Sequence, residues 1–392
     1  MTTVSTNPPT NPHGTVATQG PVLVVGTGLL GTSLALALAA SGVQVQLSDT
    51  SPTSLALARD MGAGHVREDT SPQPRLVVVA TPPDVAAGVV LAHLEAFPDA
   101  VVTDVASVKQ RVVAEVHAHA GEASRRYVGS HPMAGRERSG AGAADSDLFV
   151  GRPWVIVADG ASAEAELMVR NLAVDVGATP LRMAAAEHDA AVAAVSHVPQ
   201  LVSSLLAARL EELPESALAL AGQGLRDTTR IAASDPRLWS AILVGNAGPV
   251  LGLLQAVRQD LDSLIAGIAP AAVDPDSPGY TAAGRAEAIA PGAVGAITDV
   301  MGRGNTGQAR IPGKHGGAPR RYAEVQVLVP DTAGSLGRLF SDVGGAGVNI
   351  EDFAMEHSAG QSAGIAMLSV SPAAAQPLEE ALDAGGWRVV RL

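Results

Sequence analysis

The sequence predicts a doubly wound α/β sheet, then an all-helical domain, then a small β-α-β-β-α-β domain. Three observations carry this. Strand-like and helix-like segments alternate from residue 20 to about residue 184, the strand signal then gives way to Ala/Leu-rich helical periodicity, and alternation returns in residues 321–392. A chain of 392 residues is long enough for two or three domains at ~100–200 residues each.

In residues 20–184 strands are expected at Val22–Val25, Val43–Ser48, Leu76–Ala80, Val101–Val105, Tyr127–Ser130, Trp154–Val157 and Pro180–Arg182, with helices such as Thr32–Ala40 and Ala163–Asp175 between them. That alternation implies a parallel sheet covered by helices on both faces. Residues 185–270 read as a separate helical domain. Residues 271–320 are rich in Pro, Gly and Ala, with a basic, glycine-laden run from Met301 to Gly317, and read as a linker holding at most a short helix around Ala282–Ile289. In residues 321–392 the order is strand Tyr322–Val329, helix Gly334–Val343, strands Val348–Glu356 and Ser362–Val370, helix Ala375–Ala384 and strand Trp387–Arg391, the split βαβ unit of ferredoxin-like domains.

Composition removes several function classes. Hydrophobic residues make up 47% of the chain, so a wholly disordered protein is excluded, and zero cysteines exclude disulfide scaffolds, zinc fingers, iron–sulfur clusters and thiol nucleophiles. The 39 acidic against 26 basic residues give a net charge of -13, which repels phosphate backbones and speaks against nucleic-acid binding. The uncharged run Pro21–Leu47 imitates a membrane span, but four glycines break it and no Lys/Arg cluster flanks it, so no membrane association is expected. Residues 1–19 carry no charged side chain and read as a disordered tail without the basic start of a signal peptide. A cytoplasmic location follows as the expectation.

Gly26-Thr27-Gly28-Leu29-Leu30-Gly31 follows the first strand and opens a helix, the context in which a G-x-G-x-x-G turn binds a dinucleotide in a Rossmann-type sheet. Asp49 ends the next strand, where a carboxylate accepts from the adenosine ribose and disfavours a 2′-phosphate. The expected cofactor is NAD, held by Gly26, Gly28, Leu29, Leu30, Gly31, Asp49 and Thr81.

Asp104-Val105-Ala106-Ser107-Val108-Lys109 and Ser130-His131-Pro132-Met133-Ala134-Gly135 each end a later strand, and so face the crevice where ligands of open α/β sheets sit. Ser107 with Gln110 also makes a capping box, which alone would explain that serine. His131, fixed by Pro132 near a nicotinamide, is the side chain suited to take a hydroxyl proton near pH 7. In the helical region Arg226 and Arg230 lie four apart with Asp227 between them. They read equally as a solvated salt-bridged face or as a guanidinium fork for a substrate carboxylate. Glu187-His188-Asp189 has the look of metal ligands, but it sits at a helix start with no second cluster, so no metal is expected.

The G-x-G-x-x-G, D-x-x-S-V-K, S-H-P-M-A-G-x-E, E-H-D, S-H-x-P and R-D-T-T-R-I-A blocks, in this order, resemble the prephenate dehydrogenases of tyrosine biosynthesis over nearly the whole chain. The tail resembles an ACT domain, an amino-acid-sensing module, through Pro330-Asp331-Thr332-Ala333-Gly334-Ser335-Leu336 and Gly347-Val348-Asn349-Ile350. The resemblance implies that His131 is the catalytic histidine, oriented by Ser107, and that Arg230 holds a substrate carboxylate. It implies further that His197 reaches into the substrate pocket with Glu137 at its entrance, and that Arg226 and Asp227 belong to the same substrate site. A homodimer and an L-tyrosine effector site at Asp331, Gly334, Leu336, Asn349 and Ile350 follow in the same way. One departure is Gln200, where the family often carries another histidine after S-H-x-P. Prephenate and arogenate both remain open as substrate. A different two-domain hydroxy-acid dehydrogenase would typically use a lysine as acid/base, and an NAD-sensing regulator need not keep His131 and Arg230 together.

Overall fold

The computed structural model describes residues 16–135, 140–272, 292–312, 322–356 and 362–390. By contact the chain forms two units, residues 1–204 with 231–254, and residues 205–230 with 255–392. The helical segment expected at 185–270 is therefore divided between them.

The first unit is built on an eight-stranded sheet. In chain order its elements are β1 (Val22–Val25), α1 (Leu29–Ala40), β2 (Val45–Ser48), α2 (Pro52–Asp60), β3 (His65–Val66), β4 (Leu76–Val79), α3 (Pro83–Ala96), β5 (Val101–Asp104), α4 (Gln110–Ala120), β6 (Tyr127–Pro132), β7 (Pro153–Val157), α5 (Ala163–Asp175) and β8 (Thr179–Arg182). The strand order β3-β2-β1-β4-β5-β6-β7-β8 reverses between β1 and β4, with Val22 in register with Val45 on one side and Leu76 on the other. Every residue of β1 and β4 is buried, and their side chains alternate between two cores. Val22, Val24, Leu76 and Val78 face one, while Leu23, Val25, Val77 and Val79 face the other. Helices on both faces explain why these strands are continuous apolar runs.

Two expectations change here. The sheet is not wholly parallel, because β7 runs antiparallel to β6. Among the described residues only a 3-10 turn, Ala141–Ala143, and no α-helix lies between β6 and β7, and without a crossover helix the chain returns beside itself in the opposite sense. Residues 16–19, expected as tail, are held in place: Thr18 donates to Asp175 through both its N–H and its hydroxyl, at 2.6 Å each, and Val16 packs on the core.

Helices α6 (Ala185–Val192) and α7 (Val198–Ala208) are joined by a π-helical turn, Ala193–His197. Pro199 has no N–H to give the preceding turn, which widens and carries His197 at its end. By length and composition this continuous helix would span a bilayer, yet His188, Asp189, His197, Gln200 and Ser203 are among its buried residues. After α8 (Glu215–Leu218) and α9 (Gln223–Thr229) come α10 (Pro236–Gly245), capped by the Asp235 carboxylate, and the 22-residue α11 (Ala247–Ile268).

The linker reading fails in its described part, where residues 294–308 form helix α12 (Val294–Gln308). Four glycines hid its period. It lies against α11, where a Cβ on Gly267 would come within 2.5 Å of the Ala296 Cβ, and Arg303 bridges Asp260 of α11 and Asp299 at 2.9 Å. The short helix expected around Ala282–Ile289 lies outside the described residues.

The C-terminal elements are β9 (Ala323–Pro330), α13 (Ser335–Gly345), β10 (Asp352–Glu356), β11 (Ala363–Val370), α14 (Pro372–Ala384) and β12 (Arg388–Val390). Their sheet order β10-β11-β9-β12 and antiparallel pairing give the ferredoxin-like arrangement that the element order predicts. The start of β10 lies four residues later than expected, residues 348–351 leading into it with the Glu351 N–H donating to the Ser369 carbonyl at 2.8 Å.

Candidate active site

Sterics dictate the turn between β1 and α1. Gly26 has φ of +99°, and a Cβ there would stand 2.5 Å from the Ala80 carbonyl oxygen; a Cβ on Gly31 would stand 1.9 Å from that of Gly26. At Gly28 a Cβ would meet nothing within 4 Å, so the backbone is bare toward open space. No side chain caps α1, which leaves the N–H groups around Leu29, Leu30 and Gly31 available to a phosphate. The Asp49 carboxylate, at the end of β2, accepts from Thr27 N–H at 2.5 Å and from Ser51 N–H at 2.7 Å. Just past β4, the Thr81 hydroxyl oxygen is buried with no hydrogen-bond partner in the described structure. These groups flank the point where strand order reverses, and their bare backbone, uncapped helix, carboxylate and orphaned hydroxyl fit a dinucleotide.

His131 lies in β6 and is 8% exposed. Its Nδ1 is 2.9 Å from His188 Nε2, and His188 Nδ1 is 2.7 Å from Asp189 Oδ1. Burial holds the His131 pKa well below the ordinary histidine value, with the charges of His188, Lys109 and His197 pushing the same way. The imidazole is therefore neutral near pH 7 and able to accept a proton.

Below it lies a buried polar cluster. Lys109 Nζ contacts Asp104 Oδ1, Tyr127 donates its hydroxyl to Asp104 Oδ2 at 2.7 Å, and Ala106 N–H donates to Oδ1 at 2.9 Å. Lys109, Asp104 and Tyr127 are all buried. Burial lowers the Lys109 pKa against the opposing pull of Asp104.

The capping box expected at Ser107 does not form. Helix α4 starts at Gln110, and the carboxylate of Asp189 on α6 takes its place, accepting from Lys109 N–H at 2.8 Å and Gln110 N–H at 2.9 Å. Ser107 is half-buried and makes no hydrogen bond among the described residues, so its hydroxyl is unspent.

His197 is 1% exposed, its Nδ1 lies 3.0 Å from Asn246 Nδ2, and its ring packs edge-on against Trp239. Burial lowers its pKa to about 4. As an acceptor at Nδ1, the neutral ring keeps its proton on Nε2, where it can donate. Gln200 is buried and donates to the Ile231 carbonyl at 2.8 Å, so its amide serves the helical framework.

Asp104, Lys109, His131, His188, Asp189, His197 and Asn246 thus meet in one unit. Arg226 and Asp227 on α9, and Arg230 on the 3-10 turn after it, belong to the other and are exposed there; Asp227 accepts from Gln223 at 2.7 Å. Glu137 lies outside the described residues. Sequence reasoning missed Asn246 and the use to which His188 and Asp189 are put. Their one signal was an apolar helix that keeps adjacent His and Asp.

Fold and site together define a dinucleotide-dependent dehydrogenase with a histidine at its centre. Residues 34–180 match the nucleotide-binding domain of prephenate dehydrogenase and residues 184–276 match its dimerization domain. A probable prephenate dehydrogenase of Streptomyces niveus, NovF, is 35% identical over 93% of this chain and 98% of its own. The solved prephenate dehydrogenase of A. aeolicus, in complex with hydroxyphenyl propionate and NAD+, superposes with a TM-score of 0.60 at 27% identity, over 73% of this chain and 97% of that one. Synechocystis arogenate dehydrogenase does so with a TM-score of 0.54 at 27% identity, over 73% and 99%. The chain belongs to the prephenate dehydrogenase family and is an NAD-dependent oxidoreductase.

Proposed function

We propose that the protein oxidises and decarboxylates prephenate to 4-hydroxyphenylpyruvate, in the cytoplasm, as a step of tyrosine biosynthesis. The observation that carries this is a buried, neutral His131 in the same unit as a cofactor cradle. Gly26–Gly31, Asp49 and Thr81 would hold NAD, which would supply the acceptor for a hydride from the carbinol carbon of the substrate. His131 accepts the proton of the ring hydroxyl as the carbonyl forms. The dienone loses carbon dioxide because the ring becomes aromatic, which needs no metal, and the proton on His131 returns to the phenolate oxygen. Most of the catalysis is positioning.

Arogenate is the second reading, favoured by the likeness to the Synechocystis enzyme. The two substrates differ only in the pyruvyl or alanyl arm, a choice made by one or two pocket side chains. Steady-state NADH formation with each substrate in parallel tests both, and turnover of neither would overturn the reading. A hydroxy-acid dehydrogenase with a lysine acid/base is disfavoured, because Lys109 is buried and bound to Asp104.

Under this reading Arg230 pairs with a substrate carboxylate, and Arg230→Ala is expected to raise KM by a factor worth ~2–4 kcal/mol with kcat little changed. Unchanged KM would assign Arg230 to a solvated helix face. Asp49→Ser is expected to relax NAD preference toward NADP, measured as the ratio of kcat/KM for the two. A wild-type preference for NADP would refute the role of Asp49.

We assign the ferredoxin-like tail as an ACT domain that mediates feedback by L-tyrosine. Supporting this, the turn Asp331–Gly334 and the stretch Gly347–Ile350 are open and largely exposed, with Gly334 and Gly347 at φ of +90° and +72°. Those conformations also serve turn and cap, so the glycines have a structural use as well. Asn349, exposed and donating to Glu351 at 2.9 Å, is offered with Asp331, Leu336 and Ile350 as the set that receives the amino acid's zwitterion. Asn349→Ala is expected to weaken tyrosine inhibition by roughly tenfold, within the usual 1–3 kcal/mol of coupling between such sites. Equal inhibition of variant and wild type would place any feedback at the active site. The homodimer reading rests on α11, which buries only Val250 while exposing Leu251, Leu261, Ile265 and Ile268 along one stripe, and on the match to a dimerization domain.

A further inference from the structure

We infer that His188 and Asp189 form a two-residue relay that fixes His131 as the Nδ1–H tautomer and leaves its Nε2 as the proton acceptor. The inference rests on the reading of His131 as the base and specifies how it is held.

Donors and acceptors alone fix where each proton lies. Asp189 is an acceptor at both oxygens, since it takes the N–H groups of Lys109 and Gln110 at the start of α4. Its neighbour His188 must then carry its proton on Nδ1, 2.7 Å from Oδ1. An imidazole holding its single proton on Nδ1 has only a lone pair at Nε2. His131 Nδ1, 2.9 Å away, must therefore be the donor, and the remaining lone pair of His131 is on Nε2. The tautomer is set two hydrogen bonds away, by a carboxylate that is itself fixed by two backbone N–H groups.

Geometry keeps this arrangement rigid. His188 is fully buried and Asp189 is 1% exposed, while Asn246 donates its amide to the Asp189 carbonyl at 2.8 Å. The two imidazoles meet edge to face, with centroids 5.1 Å apart. Lys109, Asp104, Asp189, His188 and His197 are the titratable groups gathered around His131 in its unit. When His131 takes the substrate proton at Nε2, its Nδ1–H donates more strongly to His188, whose own Nδ1–H points to the Asp189 carboxylate. Positive charge created on His131 is then met by a polarised chain ending in an anion. His188 and Asp189 touch neither reacting atoms nor cofactor in this scheme and are positioning residues.

Asp189→Asn is the discriminating variant. Oδ1 takes both the Lys109 N–H and the His188 Nδ1–H, so the asparagine oxygen stays there, keeps both bonds and turns its NH₂ toward the Gln110 N–H. The His188 and His131 tautomers are kept, but the anion at the end of the chain is gone when His131 becomes charged. The expected result is a fall in kcat of ~10–10²-fold, the difference between a charge-assisted and a neutral chain, with KM for NAD within about threefold of wild type. In ¹⁵N-histidine NMR at pH 7, wild-type His131 is expected to show a protonated Nδ1 and an unprotonated Nε2, with His131→Asn identifying the resonances. The variant is expected to show the same tautomer, so that its loss of kcat reports the missing charge. Wild-type His131 protonated at Nε2 would overturn the relay, as would an Asp189→Asn enzyme with wild-type kcat. The tautomer measurement needs only the wild-type protein, so it decides the matter even if the variant fails to fold. If the wild type turns over neither prephenate nor arogenate, the functional reading fails while the NMR result still judges the relay.

Discussion

His131→Asn is expected to lower kcat for prephenate by ~10²–10⁴-fold and to leave NAD affinity nearly unchanged. Asparagine fills much of the imidazole's space and can still face His188, so the surrounding packing survives. It lacks a nitrogen lone pair that takes a proton near neutral pH. The cofactor groups at Gly26–Gly31 and Asp49 lie at the ends of other strands, so the two measurements separate cleanly. Stopped-flow or steady-state NADH absorbance gives kcat, and fluorescence titration with NAD gives affinity. Wild-type turnover in the variant would remove His131 from the chemistry.

The largest effect on stability is expected at Lys109. Lys109→Met keeps most of the side-chain volume but leaves the Asp104 carboxylate buried with only Tyr127 and the Ala106 N–H as partners. Removing one member of a buried pair typically costs ~3–5 kcal/mol, because the other charge stays desolvated and uncompensated. Lys109→Met combined with Asp104→Asn should recover more than half of that, since the amide still accepts from Tyr127 or Ala106 without carrying charge. Urea unfolding of both variants at pH 7 tests this. Single and double variants of equal stability would show that the loss comes from packing and not from the stranded charge.

The features legible in the sequence were those fixed by short spacings. Gly26, Gly28 and Gly31 announce their turn because all three fall within six residues, two of them where a Cβ would clash and one where bare backbone meets open space, and Asp49 follows one strand later. The β-α-β-β-α-β tail was readable because strand and helix periods differ. Strand direction was not, since Pro153–Val157 has the same apolar pattern whether it runs parallel or antiparallel to Tyr127–Pro132. Helix α12 was hidden because Gly295, Gly302, Gly304 and Gly307 lower propensity while Val294, Ile297 and Met301 keep the helical spacing. The site was half visible. His131 stood out by its strand-end position, but its contact with His188 joins residues 57 apart in the chain, and Asp189 reaches the start of α4 across 80. Ser107 has the local spacing of a cap, beside the role at His131 that the family resemblance implies. The cap came from a carboxylate that only tertiary packing brings there.

The Asp49 carboxylate does two jobs with one pair of oxygens. It holds the glycine turn through Thr27 and the start of α2 through the Ser51 N–H, and it stands where a cofactor's ribose would be read. Cofactor choice and the order of the phosphate turn are thus not independent traits in this chain. A lineage, or an engineer, that exchanges Asp49 for a residue accepting a 2′-phosphate also strands the Thr27 N–H and hydroxyl. Each stranded group costs ~1–3 kcal/mol when no water reaches it. Changes of cofactor preference at this position should therefore travel with compensating substitutions near Thr27, and single exchanges should be found to loosen binding of both cofactors before they favour either.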